Sequence, residues 1–212
     1  MLNITNLEAG YDGKSVVALP ELKLQTGEHC LILGQSGSGK TTLLYAIAGL
    51  LKPLKGSITL GNTNIAALSG AALDAFRGTH IGIIYQALHM VAAVSVLENI
   101  LLAQYAAGTK QDAHKAESLL THLGLYDHRH KKPEALSQGQ QQRVAIARAA
   151  INDPQLILGD EPTSALDDIS CDAVMQLLLD TANATGASLV IATHDARIRK
   201  HFSKTITLGG AK

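Results

Sequence analysis

The chain has 212 residues, 46% of them hydrophobic, with 18 basic and 18 acidic side chains. That length suits one domain, or one domain carrying a small inserted lobe, and it leaves ample apolar material for a core. The balanced charge argues against nonspecific binding to nucleic acid or anionic membrane, which a basic excess favours. No apolar run reaches the ~18 residues of a membrane span. Cys30 and Cys171 form no close pair, so reduced, buried thiols are expected rather than a disulfide framework. The opening "MLNITNLEAGYDGK" has no basic start followed by an apolar run, so no signal peptide is expected. A soluble, cytosolic chain is the expectation, one that reaches a membrane only through a partner.

In chain order, the segment "LNITNLEAGYDGKSVVALPELKLQTGEHCLILG" is β-like, with turns at "YDGK" and "QTGE". Within it "HCLILG" is an apolar run ending in glycine, which suits a buried strand. "KTTLLYAIAGLL" reads as a helix, and "GSITLG" and "IGIIYQ" read as strands. From 87 to 133 the strands stop, and "VSVLENILLAQYAAG" and "KQDAHKAESLLTHLGL" read as two helices. A helix at 139–151 follows, then strand "QLILG", helix "ISCDAVMQLLLDTANA", strand "SLVIAT", a short helix and strand "TITLG". Strands alternating with helices predict an α/β fold with a mainly parallel sheet covered on both faces. The expected organisation is one domain, 1–212, with a core of 1–86 and 134–212 and a helical subdomain at 87–133.

"GQSGSGKTT" lies between a strand and a helix and matches the P-loop pattern. Gly34, Gln35, Ser36, Gly37, Ser38 and Gly39 form a loop whose backbone N–H groups can wrap phosphates. Lys40 would reach the β- and γ-phosphates. Thr41 would ligate Mg²⁺, and Thr42 sits where a hydroxyl meets the α-phosphate. "LILGDEPTSALD" places Asp160 and Glu161 at the carboxyl end of a buried strand, the edge at which open α/β sheets bind ligands. Asp160 suits Mg²⁺, and Glu161 can orient or deprotonate the attacking water. "VIATHD" ends another strand at His194, which can hydrogen-bond a γ-phosphate or that water. Gln86, ending "IGIIYQ", can touch both Mg²⁺ and water. A second phosphate cradle follows in "LSQGQ", where Ser137 and Gly139 stand ahead of a strong helix. His122, His128 and His130 lack companion cysteines or carboxylates, so a solvated loop is expected there rather than a metal site.

These five motifs, in this order and spacing, resemble the ATP-binding cassette (ABC) proteins along essentially the whole chain. The resemblance implies a P-loop NTPase with a RecA-like core, an N-terminal antiparallel β part and an inserted α-helical subdomain. It also implies why there are two cradles. In this family two subunits pack head to tail, and each ATP lies between the P-loop of one and the signature of the other. Ser137, Gln138, Gly139 and Gln140 would then serve the partner's ATP. The usual signature is LSGGQ, and Gln138 here replaces its first glycine. By the same resemblance Lys40, Glu161 and His194 are catalytic, and Thr41, Gln86 and Asp160 hold Mg²⁺. Tyr11 corresponds to the residue that stacks on adenine. Ser164–Asp167, "SALD", corresponds to the loop crossing the dimer interface, with Asp167 near nucleotide.

The segment "ALHMVAAVSVLENILLAQYAAG" resembles the lipoprotein-releasing and macrolide-exporting ATPases, which pair with separate permeases. The expected partners are an integral-membrane permease and a second copy of the chain, without nucleic acid. The expected place is the inner face of the cell membrane. Two alternatives stay open, an ATPase of a binding-protein-dependent importer and a non-transport ATPase that signals through a membrane partner.

Overall fold

The computed structural model describes residues 1–164 and 166–209. Two sheets enclose the first helix. Strands β1 (Leu2–Tyr11), β2 (Lys14–Leu24), β4 (Lys55–Leu60) and β5 (Thr63–Asn64) form an antiparallel sheet in the order β2-β1-β4-β5. The β1–β2 hairpin turns on Asp12 and Gly13, both at positive φ (51° and 74°), the backbone of a two-residue turn matched to strand twist. The second sheet holds β3 (His29–Gly34), β6 (Ile81–Ile84), β7 (Leu156–Asp160), β8 (Ser188–Thr193) and β9 (Lys204–Leu208). Its order is β6-β7-β8-β3-β9, and all its pairings are parallel.

Strands β3, β7 and β8 are apolar on both faces, and the two-residue period divides them between two cores. Cys30, Ile32, Leu158, Val190 and Ala192 face helix α1 (Lys40–Ile47) and the antiparallel sheet. Leu31, Ile157, Leu189 and Ile191 face the other side, toward α5 (Gln138–Ala150) and α6 (Asp168–Thr185). Burial lifts the Cys30 thiol to about pKa 11, so it behaves as a small hydrophobe.

Between β6 and β7 the described residues form no strand. They carry α3 (Val96–Ala106), α4 (Ala113–His122) and two short 3₁₀ turns before α5. Ser95 opens α3 with a capping box to Glu98, and Asp112 caps α4. Val96, Ile100, Ala116 and Leu120 share one buried cluster with Val144 and Ala147 of α5. One helix, α2 (Gly70–His80), has no counterpart in the sequence reading. None of its residues is fully buried, and Leu73 and Phe76, one turn apart, pack partly against the core.

Candidate functional site

The strands that carry the motifs are neighbours: β6, β7, β8 and β3 lie side by side. Their carboxyl ends meet at one cleft of about 610 Å³, lined among others by Gln35, Lys40, Thr41, Gln86, Glu161 and His194. Ser36, Gly37, Gly39 and Thr42 complete its P-loop wall.

The P-loop takes its shape from glycine. Gly37 and Gly39 have φ of +79° and +88°, and a Cβ on Gly39 would stand 2.8 Å from the Cβ of Val17. Gly39 also caps α1, with no side chain closing that helix end. The N–H groups of Gly37, Gly39, Lys40 and Thr41 have no acceptor among the described residues. Converging N–H groups at a helix N-terminus make an anion-binding concavity. Lys40 Nζ donates to the carbonyls of Gly34 (3.0 Å) and Gln35 (3.1 Å) and stands 3.4 Å from Glu161 Oε1. Ser38 is buried, and its hydroxyl has no partner among the described residues.

Asp160 and Glu161 follow one another and do different things. Asp160 accepts a hydrogen bond from Thr41 Oγ1 at 2.8 Å through Oδ2, and its buried Oδ1 has no partner among the described residues. Burial raises its pKa, the neighbouring Glu161 charge adds to this, and the Thr41 bond and Lys40 oppose it. Two oxygens and a hydroxyl gathered beside a phosphate cradle are the donor chemistry of a hard cation.

Glu161 is held in the left-handed region, φ 49°, which costs a side-chain-bearing residue energy. Its surroundings fix it there. Its N–H extends the β7–β8 pairing to Ala192 O at 2.8 Å. Thr193 Oγ1 donates to Oε2 at 2.6 Å, His194 N donates to Oε1 at 3.1 Å, and His194 Nδ1 lies 2.9 Å from Oε1. Burial pushes the Glu161 carboxyl up, but the Thr193 and His194 hydrogen bonds and the His194 and Lys40 charges together outweigh it and bring the pKa below the usual value. An ionised carboxylate only accepts, so the proton between the two side chains sits on His194 Nδ1.

The "LSQGQ" residues are not among those lining this cleft. Ser137 caps α5 in a capping box: its hydroxyl accepts from Gln140 N (3.3 Å), and Gln140 Oε1 accepts from Ser137 N (2.9 Å). Gln140 Nε2 is 2.8 Å from His128 Nε2, so this histidine is half-buried against the helix instead of solvated. Ser137 and Gln138 are exposed, and the N–H groups of Gln138 and Gly139 have no acceptor among the described residues. Asp167 is an exposed N-cap of α6, bonded to Ser170 N (2.9 Å) and Oγ (2.8 Å). Ala165 of "SALD" and the terminal 210–212 lie outside the described residues. Tyr11, at the hairpin tip, is 49% exposed and does not line the cleft, whereas Val16 on the next strand does.

A model of the ABC transporter family matches residues 19–164. The chain belongs to that family. It is an ATP-binding and ATP-hydrolysing subunit of such a transporter, and nucleotide is its ligand. It is 36% identical over 208 residues to the lipoprotein-releasing system ATP-binding protein LolD of Bacteroides fragilis, covering 97% of this chain and 96% of that one. It is 40% identical over 190 residues to an uncharacterised ABC transporter ATP-binding protein of Mycobacterium tuberculosis, covering 89% of this chain and 77% of the relative. A dimeric post-hydrolysis structure of the ATP-binding cassette MJ0796 with ADP and Pi superposes with a TM-score of 0.87 at 32% identity, over 98% of this chain and 94% of that one.

Several residues of this ABC subunit's site are invisible to motif reading. Thr193 holds Glu161 but precedes the motif histidine as an ordinary strand residue. Asn99 is buried and pins the segment after Gln86, accepting from Val91 N (2.8 Å) and donating to the carbonyls of Val91 and Ser95. Arg148 of α5 donates to the carbonyls of Leu88 (2.6 Å) and His89 (2.9 Å), and burial lowers its pKa. Together these two side chains tie the Gln86 loop to α3 and to the signature helix. A capped "SVLEN" helix start hints at Asn99; nothing local in the sequence marks Arg148.

Proposed function

We propose that two copies pair head to tail, each closing the other's ATP with its signature residues, and that the closed pair hydrolyses ATP to drive a membrane permease. The observation that carries this reading is the division of phosphate-binding parts. The P-loop, Gln86, Glu161 and His194 line one cleft, with Asp160 bonded to Thr41 of its wall, while the N-terminus of α5 lies elsewhere, with Ser137 and Gln138 exposed and Gly139 half-buried. The dimeric form of MJ0796 supports the pairing.

In this reading the P-loop N–H groups and Lys40 hold the β- and γ-phosphates, which requires Lys40 to exchange the Gly34 and Gln35 carbonyls for phosphate oxygens. Thr41, Asp160 and Gln86 hold Mg²⁺. That ion supplies positive charge against the phosphate oxygens. Glu161, ionised and aimed by Thr193, accepts the proton of the attacking water. His194 orients Glu161 through Nδ1 and keeps Nε2 for the γ-phosphate. Signature donors meet a γ-phosphate that ADP lacks, so hydrolysis reopens the pair. The core is 1–86 and 134–212, with 87–133 as the helical lobe.

The permease docks beside Gln86, where Val91 is 44% exposed on the pinned loop. Likeness to LolD supports the lipoprotein-release or export type. No helix among the described residues is long and apolar enough to cross a membrane; in this reading it is the permease that holds the subunit at the inner face.

The test is Glu161→Gln, which keeps shape and removes the base. It is expected to lower kcat by about 10²-fold or more and to trap an ATP-bound dimer visible by light scattering. Hydrolysis at the wild-type rate would remove Glu161 from its role.

A further inference from the structure

Behind His194 runs a hydrogen-bond relay that no motif describes. Thr193 Oγ1 donates to Glu161 Oε2 (2.6 Å) and accepts from Asp195 N (3.0 Å). Asp195 is buried, and the guanidinium of Arg197 grips it three ways: Nε to Oδ1 (2.9 Å), Nε to Oδ2 (3.0 Å) and a terminal nitrogen to Oδ2 (2.6 Å). The same guanidinium reaches across to the segment that follows Glu161, bonding the Asp168 carboxylate and the Leu166 carbonyl (3.3 Å). One side chain therefore joins the loop after β8 to the loop after β7, and both loops start at Glu161 or its hydrogen-bond partners. We propose that Arg197 is a positioning residue that couples the Leu166–Asp168 segment to Glu161 through Asp195 and Thr193.

The chemistry favours arginine in this place. A planar fork with five donors can serve two carboxylates and a carbonyl at once, whereas an ammonium lacks the fixed geometry. Asp195 needs that partner because it is only 9% exposed, and a buried carboxylate left unpaired is costly. Arg197, at 42% side-chain exposure, sits at the boundary between this buried acid and the exposed Asp168. Displacement of the Leu166–Asp168 segment pulls on Arg197, and the relay passes the shift to the Thr193 hydroxyl that aims Glu161. In the head-to-tail reading that segment lies at the dimer interface, so the relay reports closure to the catalytic base. This inference rests on that reading.

The experiment compares Arg197→Met, Arg197→Lys, Asp168→Asn and the Met/Asn double variant, in the full chain, by steady-state ATPase kinetics, nucleotide binding to the monomer and thermal unfolding. Arg197→Met is expected to lower kcat about 10-fold, the scale of a displaced reacting group, with nucleotide affinity and KM unchanged within about twofold. Arg197→Lys should not restore it. Asp168→Asn should lower kcat by a smaller factor, and the double variant should match Arg197→Met instead of multiplying the two losses.

Multiplied losses would overturn the coupling, as would a raised KM at unchanged kcat or a lowered Tm with normal kcat. Should Arg197→Met fail to fold, unchanged kcat in both Arg197→Lys and Asp168→Asn overturns it equally. Failure here is distinct from failure of the reading beneath. If Glu161→Gln abolishes hydrolysis and these variants do not, only the relay falls. If Glu161→Gln stays active, the assignment of Glu161 itself falls.

Discussion

Two helices of this chain begin at phosphate-binding sequences, and their first turns are built in opposite ways. At α1 the cap is Gly39, in the left-handed region, with no side chain closing the helix end. Its free N–H groups face a cleft walled by the same chain, and buried Ser38 and Asp160 keep polar atoms without partners among the described residues. At α5 the cap is Ser137, whose box with Gln140 satisfies two backbone donors on the spot. That turn is exposed, and Ser137 and Gln138 face outward. One end is polar, confined and closed by no side chain; the other has two of its donors satisfied by its own capping box, leaves the Gln138 and Gly139 N–H groups open among the described residues, and is presented to solvent. The first is built to take an anion within its own subunit, and the second holds its form until another molecule brings the anion.

The largest expected effect tests the first half of this contrast. Lys40→Ala removes a cation that lies inside the cleft. Monomeric protein, kept dilute, should bind ATP about 100-fold more weakly, or about 2.7 kcal/mol, within the range for charged hydrogen bonds. Isothermal titration at concentrations shown by light scattering to be monomeric measures it. A loss below about threefold would mean that the cradle does not depend on its lysine.

Ser137→Arg tests the other half. The monomer's ATP affinity should stay within about twofold, because no signature residue lines the cleft. ATP-dependent dimerisation should weaken at least about tenfold, or 1.4 kcal/mol, since a bulky cation now stands where the partner's nucleotide must seat. A tenfold loss of monomer affinity would place Ser137 on its own subunit's nucleotide and erase the distinction between the two cradles.

The same contrast explains what was legible in the sequence. Gly37, Gly39, Lys40 and Thr41 are readable because phosphate binding dictates residue type at fixed spacing along one turn. Ser137 is readable for a similar reason, since capping boxes are local. The parallel order also follows from apolar runs such as "LILG" and "SLVIAT", which only a sheet covered on both faces buries. What could not be read are partners brought together by pairing between distant segments. Thr193 meets Glu161 because β7 and β8 are paired, with Asp160 opposite Ala192. Arg148 meets Leu88 and His89 because α5 packs over the Gln86 loop. Helix α2 does carry an apolar pair, Leu73 and Phe76, partly buried against the core, but it is short and contains Gly70 and Gly78, which read as loop residues.

The smallest effect is one of sign. Asp160 has a raised pKa, mainly from burial, so its charged form is less favourable in the fold than in the unfolded chain. For such an acid the fold's stability is fully present below the unfolded pKa of about 3.9 and is lost as pH rises through the folded value, so at pH 7 the cost is fully expressed. Asp160→Asn removes that charge and keeps an acceptor for Thr41, and it should raise the Tm of nucleotide-free protein. Ser137→Ala strips a cap, typically worth about 1 kcal/mol, and should lower the Tm by roughly 2–4 °C in a domain of this length. The gain from Asp160→Asn should fade as pH falls through the raised folded pKa of Asp160 toward the unfolded value of about 3.9, while the Ser137→Ala loss should persist because a hydroxyl does not titrate there. Thermal unfolding at pH 7 and pH 4 separates the two. A lowered Tm for Asp160→Asn at pH 7 would mean that the Asp160 charge is already compensated within the empty P-loop end, and the proposed contrast would fail at its physical root.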